Sequence, residues 1–423
     1  MTDDGMTAPA ATDYAAFAHQ LTSTGLVTDP WVDGAPRFRS APLLLSGAEY
    51  QRLGAAAESV AAVLDELGRI VADDEILLDT FFALTPAQKL MWQASAPLWH
   101  AFARADVFVR RDGTPVVCEV NCDTPSGLAE AVCLSQLSAH PASVDPNVTL
   151  GEAWRGVVAR FAARAPTPAG ETSVAAIVYP TELGEDLALI SLYRRWCEAA
   201  GHEVVVGSPY NLVARPDGGV AMFGRPCQLI VRHYKTDWWG ERLPIWDDEE
   251  PYPDPEPLAL PLSALLRAEL GGLASVVNPF GAVLPQNKRA FAFCWEALDR
   301  FSADAQEVIR TTIPYTVRLE SADGAALRAD RAGWVLKSDY GCEGEEVIIG
   351  RQVSEAIWNA SLEHAVPARW VAQRYFDGRT DENGWNANHG VFLAGGLAVG
   401  LYTRLSSGAT DHRALSVATR LTP

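Results

Sequence analysis

The spacing of hydrophobic positions changes along the chain, and each change marks an element. Over residues 41–73 apolar residues recur every three or four positions, through AAAESVAAVLDEL, and predict a helix. A second helix opens at Thr85-Pro86-Ala87-Gln88. Thr85 can cap it, Pro86 suits its first turn, and Gln88 can close a capping box. Pro97 should break it. Residues 1–40 read as a loosely fixed lead-in with one short helix. After Pro97 the period drops to two. Residues 107–109 and 116–121 form two strands around the turn Arg111-Asp112-Gly113-Thr114.

Residues 173–235 alternate between the two periods. SVAAIVY reads as a strand, EDLALISLYRRWCEAA as a helix stopped by Gly201, and HEVVVGS and QLIVRHYK as further strands. Strands alternating with a helix imply a parallel sheet. Residues 244–262 are acidic and Pro-rich and read as an unpacked loop. From 281 onward the pattern is antiparallel and strand-rich. It begins with the helix NKRAFAFCWEAL, continues through strands WVLKSD and WVAQRYF, and ends in the hairpin GVFLAGGLAVGLYTR, turning at Gly395-Gly396. The fold class is mixed, α+β with an α/β unit. Four segments follow: a lead-in over 1–40, helices and a hairpin over 41–150, the α/β unit over 151–280, and the strand-rich portion over 281–423.

Composition narrows the function classes. Hydrophobic residues make up 48% of the 423, enough for a sizeable core. Lys and Arg number 34 against 53 Asp and Glu, a net charge of −19. That disfavours nucleic acid and anionic membranes and suits cationic amine partners. No apolar run reaches the roughly 18 residues of a membrane span. The opening MTDDGMTAPAATDY lacks a signal-peptide layout, so a cytoplasmic protein is expected. Seven cysteines form no disulfide framework, and Cys118 and Cys122 read as buried thiols.

The densest polar cluster on a strand is Glu119-x-Asn121-x-Asp123-Thr124-Pro125-Ser126-Gly127. Alternation puts 119, 121 and 123 on one face. Hard oxygen donors there suit Mg²⁺; a solvated acidic face is the alternative. Arg104-x-Asp106 lies one strand earlier, and an antiparallel hairpin would bring Asp106 close to Glu119. Lys337, on a short apolar strand, can reach a phosphate, and the loop after it contains Gly341 and Gly344. Asn287-Lys288 opens a helix. Gln373 ends a strand that is either plain core or a base-edge reader. Arg404 is either an exposed sheet residue or a clamp for an anion. Glu185 and Asp186 sit where a helix dipole favours acids. The stretch 233–239, HYKTDWW, reads as packing.

Taken in order, R-x-D, E-x-N-x-D-T-P-S, Glu-Asp at a helix start, R-x-x-Y-K-x-D-W-W, N-K, a strand Lys, G-x-E-G, V-x-Q and a late Arg resemble the synthetase domain of glutathionylspermidine synthase and its relatives. These are circularly permuted ATP-grasp ligases. CEVNCDTPSGLAEA and PQNKRAFAFCWE carry the resemblance most specifically, and it runs from about residue 42 to the C-terminus. It implies an ATP-grasp fold in permuted order, with the acidic strand before both lysines, plus a Rossmann-like substrate domain. It also implies ATP and Mg²⁺, and it allows a homodimer. By position, Asp106, Glu119 and Asn121 would hold Mg²⁺. Lys288, Lys337, Gly341, Gly344 and Gln373 would bind the nucleotide. Arg104 would act in catalysis, and Thr124, Ser126, Glu185, Asp186 and Arg404 would bind substrate. Cys342 stands where relatives often carry Arg.

The implied activity is amide-bond formation between a small-molecule carboxylate and an amine. ATP activates the acid as an acyl phosphate, and ADP and phosphate leave. Two other readings stand beside it. One is a catalytically weak nucleotide-binding relative. The other is a metal-dependent hydrolase built on Asp106, Glu119 and Asp123.

Overall fold

A computed structural model describes residues 11–138, 140, 142–250, 258–341, 346–408 and 410–423. Three sheets organise the chain. The largest has six strands in the order Phe38–Ser46, Leu415–Thr422, Leu397–Ser406, Asn386–Ala394, Phe102–Val109 and Pro115–Asn121. It therefore takes strands from both ends of the chain. Only its first pair is parallel.

The helix Gly47–Asp73 lies across one face of this sheet. Its buried stripe, including Leu53, Ala57, Val60, Leu64, Leu67 and Val71, packs with Ala103, Ala105, Val107, Val391 and Leu393. Ser46 and Glu49 close a full capping box at its start. The sequence expectation of a helix from residue 41 is corrected here. Residues 41–46 extend as strand because Leu43, Leu44 and Leu45 pair in parallel with the last strand. The helix Leu128–Leu137 belongs to the opposite side, where Leu128, Phe102, Phe392, Tyr402 and Ala418 share a second core.

The second sheet is parallel, in the order Ser275–Val277, Leu229–Arg232, Val174–Val178, Glu203–Gly207. The helix Leu187–Ala199 connects two of its strands, and Gly201, at φ 91°, turns the chain after the helix as expected. The third sheet is antiparallel, in the order Thr316–Arg318, Trp370–Arg374, Trp334–Ser338, Val347–Ile349. Trp334, Leu336, Trp358, Trp370 and Ala372 form its core.

Two further expectations change. The lead-in is well anchored where it is described, because Tyr14, Phe17 and Leu21 of the helix Ala11–Ser23 are buried. The acidic excursion packs at both ends. Ile245 is buried in the third core, Trp246 lies against Trp370, and Ala259–Leu270 is a helix with Leu262 and Leu265 inside. Its centre, 251–257, lies outside the described residues. Among the described residues no helix is long and apolar enough to cross a membrane.

Candidate functional site

The three sheets meet around one cavity of about 460 Å³, within the range of small-molecule sites. Each sheet contributes through its own periodicity. On Phe102–Val109 the odd residues face the long helix. The even residues face the other way, with Phe102 in the second core and Arg104 and Asp106 at the cavity. On Trp334–Ser338, Trp334 and Leu336 enter the third core while Val335 and Lys337 line the cavity. The parallel sheet contributes from the carboxyl ends of two adjacent strands. Pro180, Leu183, Glu185 and Asp186 follow one, and His233, Lys235, Asp237 and Trp238 follow the other. Ligands of open α/β sheets bind at that end.

Asp106 and Glu119, expected to lie close, are direct partners in the antiparallel register. Between Asp106 and Val107 the register shifts, leaving Cys118 as an extra residue. Such a bulge re-aims side chains, and here the consecutive Cys118 and Glu119 both line the cavity.

Asp106 is 1% exposed and heavily bonded. Its Oδ1 accepts from Nε of Arg104 at 2.7 Å. Its Oδ2 accepts from Arg104 at 3.3 Å, Arg404 at 3.0 Å and Nδ2 of Asn388 at 3.1 Å. Burial alone would raise this carboxyl, but the two arginines and Asn388 outweigh it and hold it below the usual carboxylate range. Arg104 also donates to the carbonyl oxygen and Oγ of Ser126, at 3.0 and 3.2 Å. The next residue, Gly127, has φ 91°, and a Cβ there would sit 2.3 Å from the Tyr402 ring. Only glycine lets this turn close over Tyr402.

Glu119 is loosely held: Nδ2 of Asn121 is 3.4 Å from Oε1, and Lys288 Nζ is 4.0 Å from Oε2. Lys288 stands behind the cavity wall and donates to the Gly341 carbonyl at 2.6 Å. Lys337 is 8% exposed and has no hydrogen-bond or ion-pair partner among the described residues. Gln373 donates to Oγ1 of Thr316 at 3.1 Å. Thr124, Ser126, Glu185, Asp186, Gly341, Gln373 and Arg404 all line the cavity. Gly344, with the neighbouring Cys342, Glu343 and Glu345, lies outside the described residues.

Asp123 does not join Asp106 and Glu119. It is 2% exposed, pairs with Arg232 at 2.5 Å, and accepts from the backbone N–H and hydroxyl of Thr236 at 2.7 and 3.1 Å. Among the described residues these three carboxylates form no convergent metal cluster, so Asp123 stands apart from the pair Asp106 and Glu119. The stretch 233–239 is corrected in part. Tyr234 and Trp239 pack, but His233, Lys235, Asp237 and Trp238 line the cavity, with His233 3.2 Å from Asp186. Asn388 was also missed, since nothing local distinguishes its strand from a plain hairpin. Alternation at His233, Tyr234 and Lys235 could have separated lining from packing residues, had the strand before them been assigned to the sheet's carboxyl edge, but the helical turn Thr236–Trp239 ends it, so that Trp238 lines the cavity and Trp239 packs.

Three sheets with helices, meeting at a cationic and acidic cavity, give a mixed α/β fold consistent with an ATP-grasp-like ligase. Residues 16–421 match the family described as glutathionylspermidine synthase preATP-grasp, and the chain belongs to that family. A glutathione synthetase-like effector from Globodera pallida, solved in its apo form, shares the fold. It has a TM-score of 0.59 and 11% identity, with 97% of this chain and 96% of that chain covered. A candidate gamma-glutamylcysteine synthetase from Methylobacillus flagellatus aligns at a TM-score of 0.45 and 13% identity, covering 83% and 84% of the two chains. No curated protein matches the chain.

Proposed function

We propose that the protein is an ATP-dependent carboxylate–amine ligase that makes an amide bond through an acyl phosphate and releases ADP and phosphate. One observation carries this reading: Lys337 is a buried residue of the cavity wall, and its ammonium has no counter-ion among the described residues. An unpaired buried charge is costly, and a phosphate chain beside it offsets that cost. The donor chemistry fits a divalent cation as well. Glu119 is nearly free of hydrogen bonds, Asn121 adds an amide oxygen, and Oδ1 of Asp106 accepts a single bond, leaving room on a carboxylate that takes several. Bound there, Mg²⁺ would neutralise charge on the phosphates.

The chain's own residues take the remaining tasks. Lys337 holds the phosphates, and Lys288, behind the wall, supports them through the Gly341 carbonyl it holds. Gln373 reads the base beside the apolar wall of Val335 and Ile349. Arg104 stabilises the transferring phosphoryl group in a preorganised position, since Asp106 and Ser126 fix its guanidinium. Arg404, Thr124 and Ser126 orient the acid, and Glu185 and Asp186 face the amine. The acidic hairpin precedes both lysines, the order of a circularly permuted ATP-grasp fold, and the parallel sheet is its Rossmann-like substrate domain. The partners are small molecules and the setting is cytoplasmic.

A thermal-shift titration with ATP and Mg²⁺ tests the reading. At a ligand concentration of 100 times its dissociation constant, wild type should gain about 2.7 kcal/mol. The double variant Glu119→Ala/Asn121→Ala should lose the Mg²⁺-dependent part. An ADP-release screen of acids against amines then separates a ligase from a relative that only binds nucleotide. Absence of stabilisation in wild type would sink the assignment.

A further inference from the structure

We propose that Asp237 is the base that takes the proton from the attacking amine; this rests on the ligase reading above. An amine offered at neutral pH arrives as an ammonium ion and cannot attack until it loses a proton. A wall carboxylate free of strong partners can accept it.

Most wall carboxylates of the described residues are committed. Asp106 is bound to two arginines, Asp123 to Arg232 and Thr236, and Asp186 to His233. Glu119 is loosely held but is taken by the cation site of the ligase reading, Asp411 accepts from the Arg413 N–H, and Glu185 also has a partner. Asp237 accepts no hydrogen bond and makes no ion pair with another described residue.

Its place is fixed from both sides. It lies on the single turn Thr236–Trp239, whose first residue is pinned by Asp123 and whose last, Trp239, is fully buried and donates to the Tyr234 carbonyl at 3.1 Å. Asp237 lines the main cavity and also a neighbouring one of about 140 Å³, so its carboxyl stands between the two. That smaller cavity, walled by Phe82, Trp238, Glu241 and Arg242 among others, has room for a small amine next to Asp237. The charged groups acting on Asp237 are Lys235 on its own segment, Asp123 from the hairpin strand, and Asp339. Arg369, Glu241 and Arg242 share the smaller cavity with it, and Tyr340 shares the larger. Burial, helped by Asp123 and Asp339 against Lys235, raises its carboxyl to about 6, so at neutral pH it is ionised yet basic enough to accept a proton.

The step balances. One ammonium N–H bond breaks and its proton passes to a carboxylate oxygen of Asp237. The freed lone pair forms the C–N bond at the acyl carbon. The C–O bond to phosphorus breaks, phosphate leaves with that electron pair, and the second proton on nitrogen passes to phosphate.

The test compares Asp237→Asn with wild type in acid-dependent ADP release. The probes are the twenty amino acids and glutathione as acids, with either hydroxylamine or the alkylamines methylamine, putrescine and spermidine as nucleophile. Hydroxylamine is uncharged at neutral pH and needs no base. Expected results are near-wild-type turnover of the variant with hydroxylamine and a loss of about 10²-fold or more with the alkylamine. Wild-type alkylamine turnover should also rise through pH of about 6, with that limb absent in the variant. Equal losses with both nucleophiles would make Asp237 structural and overturn the proposal. So would a wild type that accepts hydroxylamine but no alkylamine. No ADP release in wild type with any acid would bring down the ligase reading itself, and this assignment with it.

Discussion

A Cβ at Gly390 would lie 2.7 Å from Cδ of Arg104. Gly390 is the sheet partner of Asp106, on the side away from Glu119. The missing side chain is what lets the Arg104 guanidinium lie flat and meet Asp106. Gly390→Ala should therefore push Arg104 off the carboxylate. Overpacking of this kind costs about 1–3 kcal/mol. We expect a modest fall in melting temperature but a loss of ADP-release activity of ten-fold or more. A variant with unchanged turnover would show that the Arg104–Asp106 geometry does not matter.

Lys337 predicts a trade between stability and binding. Replacing it with Met keeps most of the volume and removes the charge of a buried residue that has no partner among the described residues. Without ligand, Lys337→Met should be as stable as wild type or more so, by about 1 kcal/mol. Its stabilisation by ATP should vanish. A variant that melts early, or that still gains stability from ATP, would contradict the role given to this ammonium.

Cys118 lines the cavity through the bulge, yet it should be unreactive. Burial pushes its thiol up to about 12. At pH 8 the thiolate fraction is then about one part in 10⁴. Iodoacetamide should label Cys118 far more slowly than an exposed thiol, as read by peptide mass spectrometry. Rapid labelling at Cys118 would mean the cavity wall is more open or more polar than its packing implies.

How much of this was legible in the sequence depended on range. Local signals held: the capping box at Thr85 and Gln88, the turn at Gly113, the stop at Gly201 and the hairpin at Gly395-Gly396 all form as read. That Asp106 lies close to Glu119 was also legible, because a short hairpin limits the register, but their direct pairing was not, since it depends on the bulge at Cys118. What failed needed distant partners. Residues 41–46 look helical beside an alanine-rich run, and only the last strand of the chain, nearly 400 residues away, makes them extend. Asn388 and Asp237 carry no local mark. One becomes a ligand of Asp106 through strand pairing, and the other enters the wall because Asp123 and Arg232 anchor the turn that bears it.

His100 should make the protein acid-sensitive. It is 7% exposed, its ring centroid lies 3.7 Å from that of Trp99, and neither ring nitrogen finds a hydrogen-bond partner among the described residues. Burial, with Arg160 adding to it, lowers its value to about 4, from the usual 6.5. Above pH 6.5 it is neutral both folded and unfolded, and its contribution is complete. Between 6.5 and 4 the unfolded chain takes up a proton that the folded one refuses, so stability falls with pH, by about 3 kcal/mol at the limit. His389, also lowered to about 4, acts in the same direction. Asp237 and Glu269, raised by burial to about 6 and 7, oppose it, because the folded protein protonates them first. Wild type alone would blur these effects, so the measurement is a difference. His100→Phe keeps the ring on Trp99 and removes the titration. Its melting temperature relative to wild type should climb steadily as pH is lowered from 7 to 4.5. A flat difference across that range would mean that His100 is protonated in the folded protein and that its pocket is not dry.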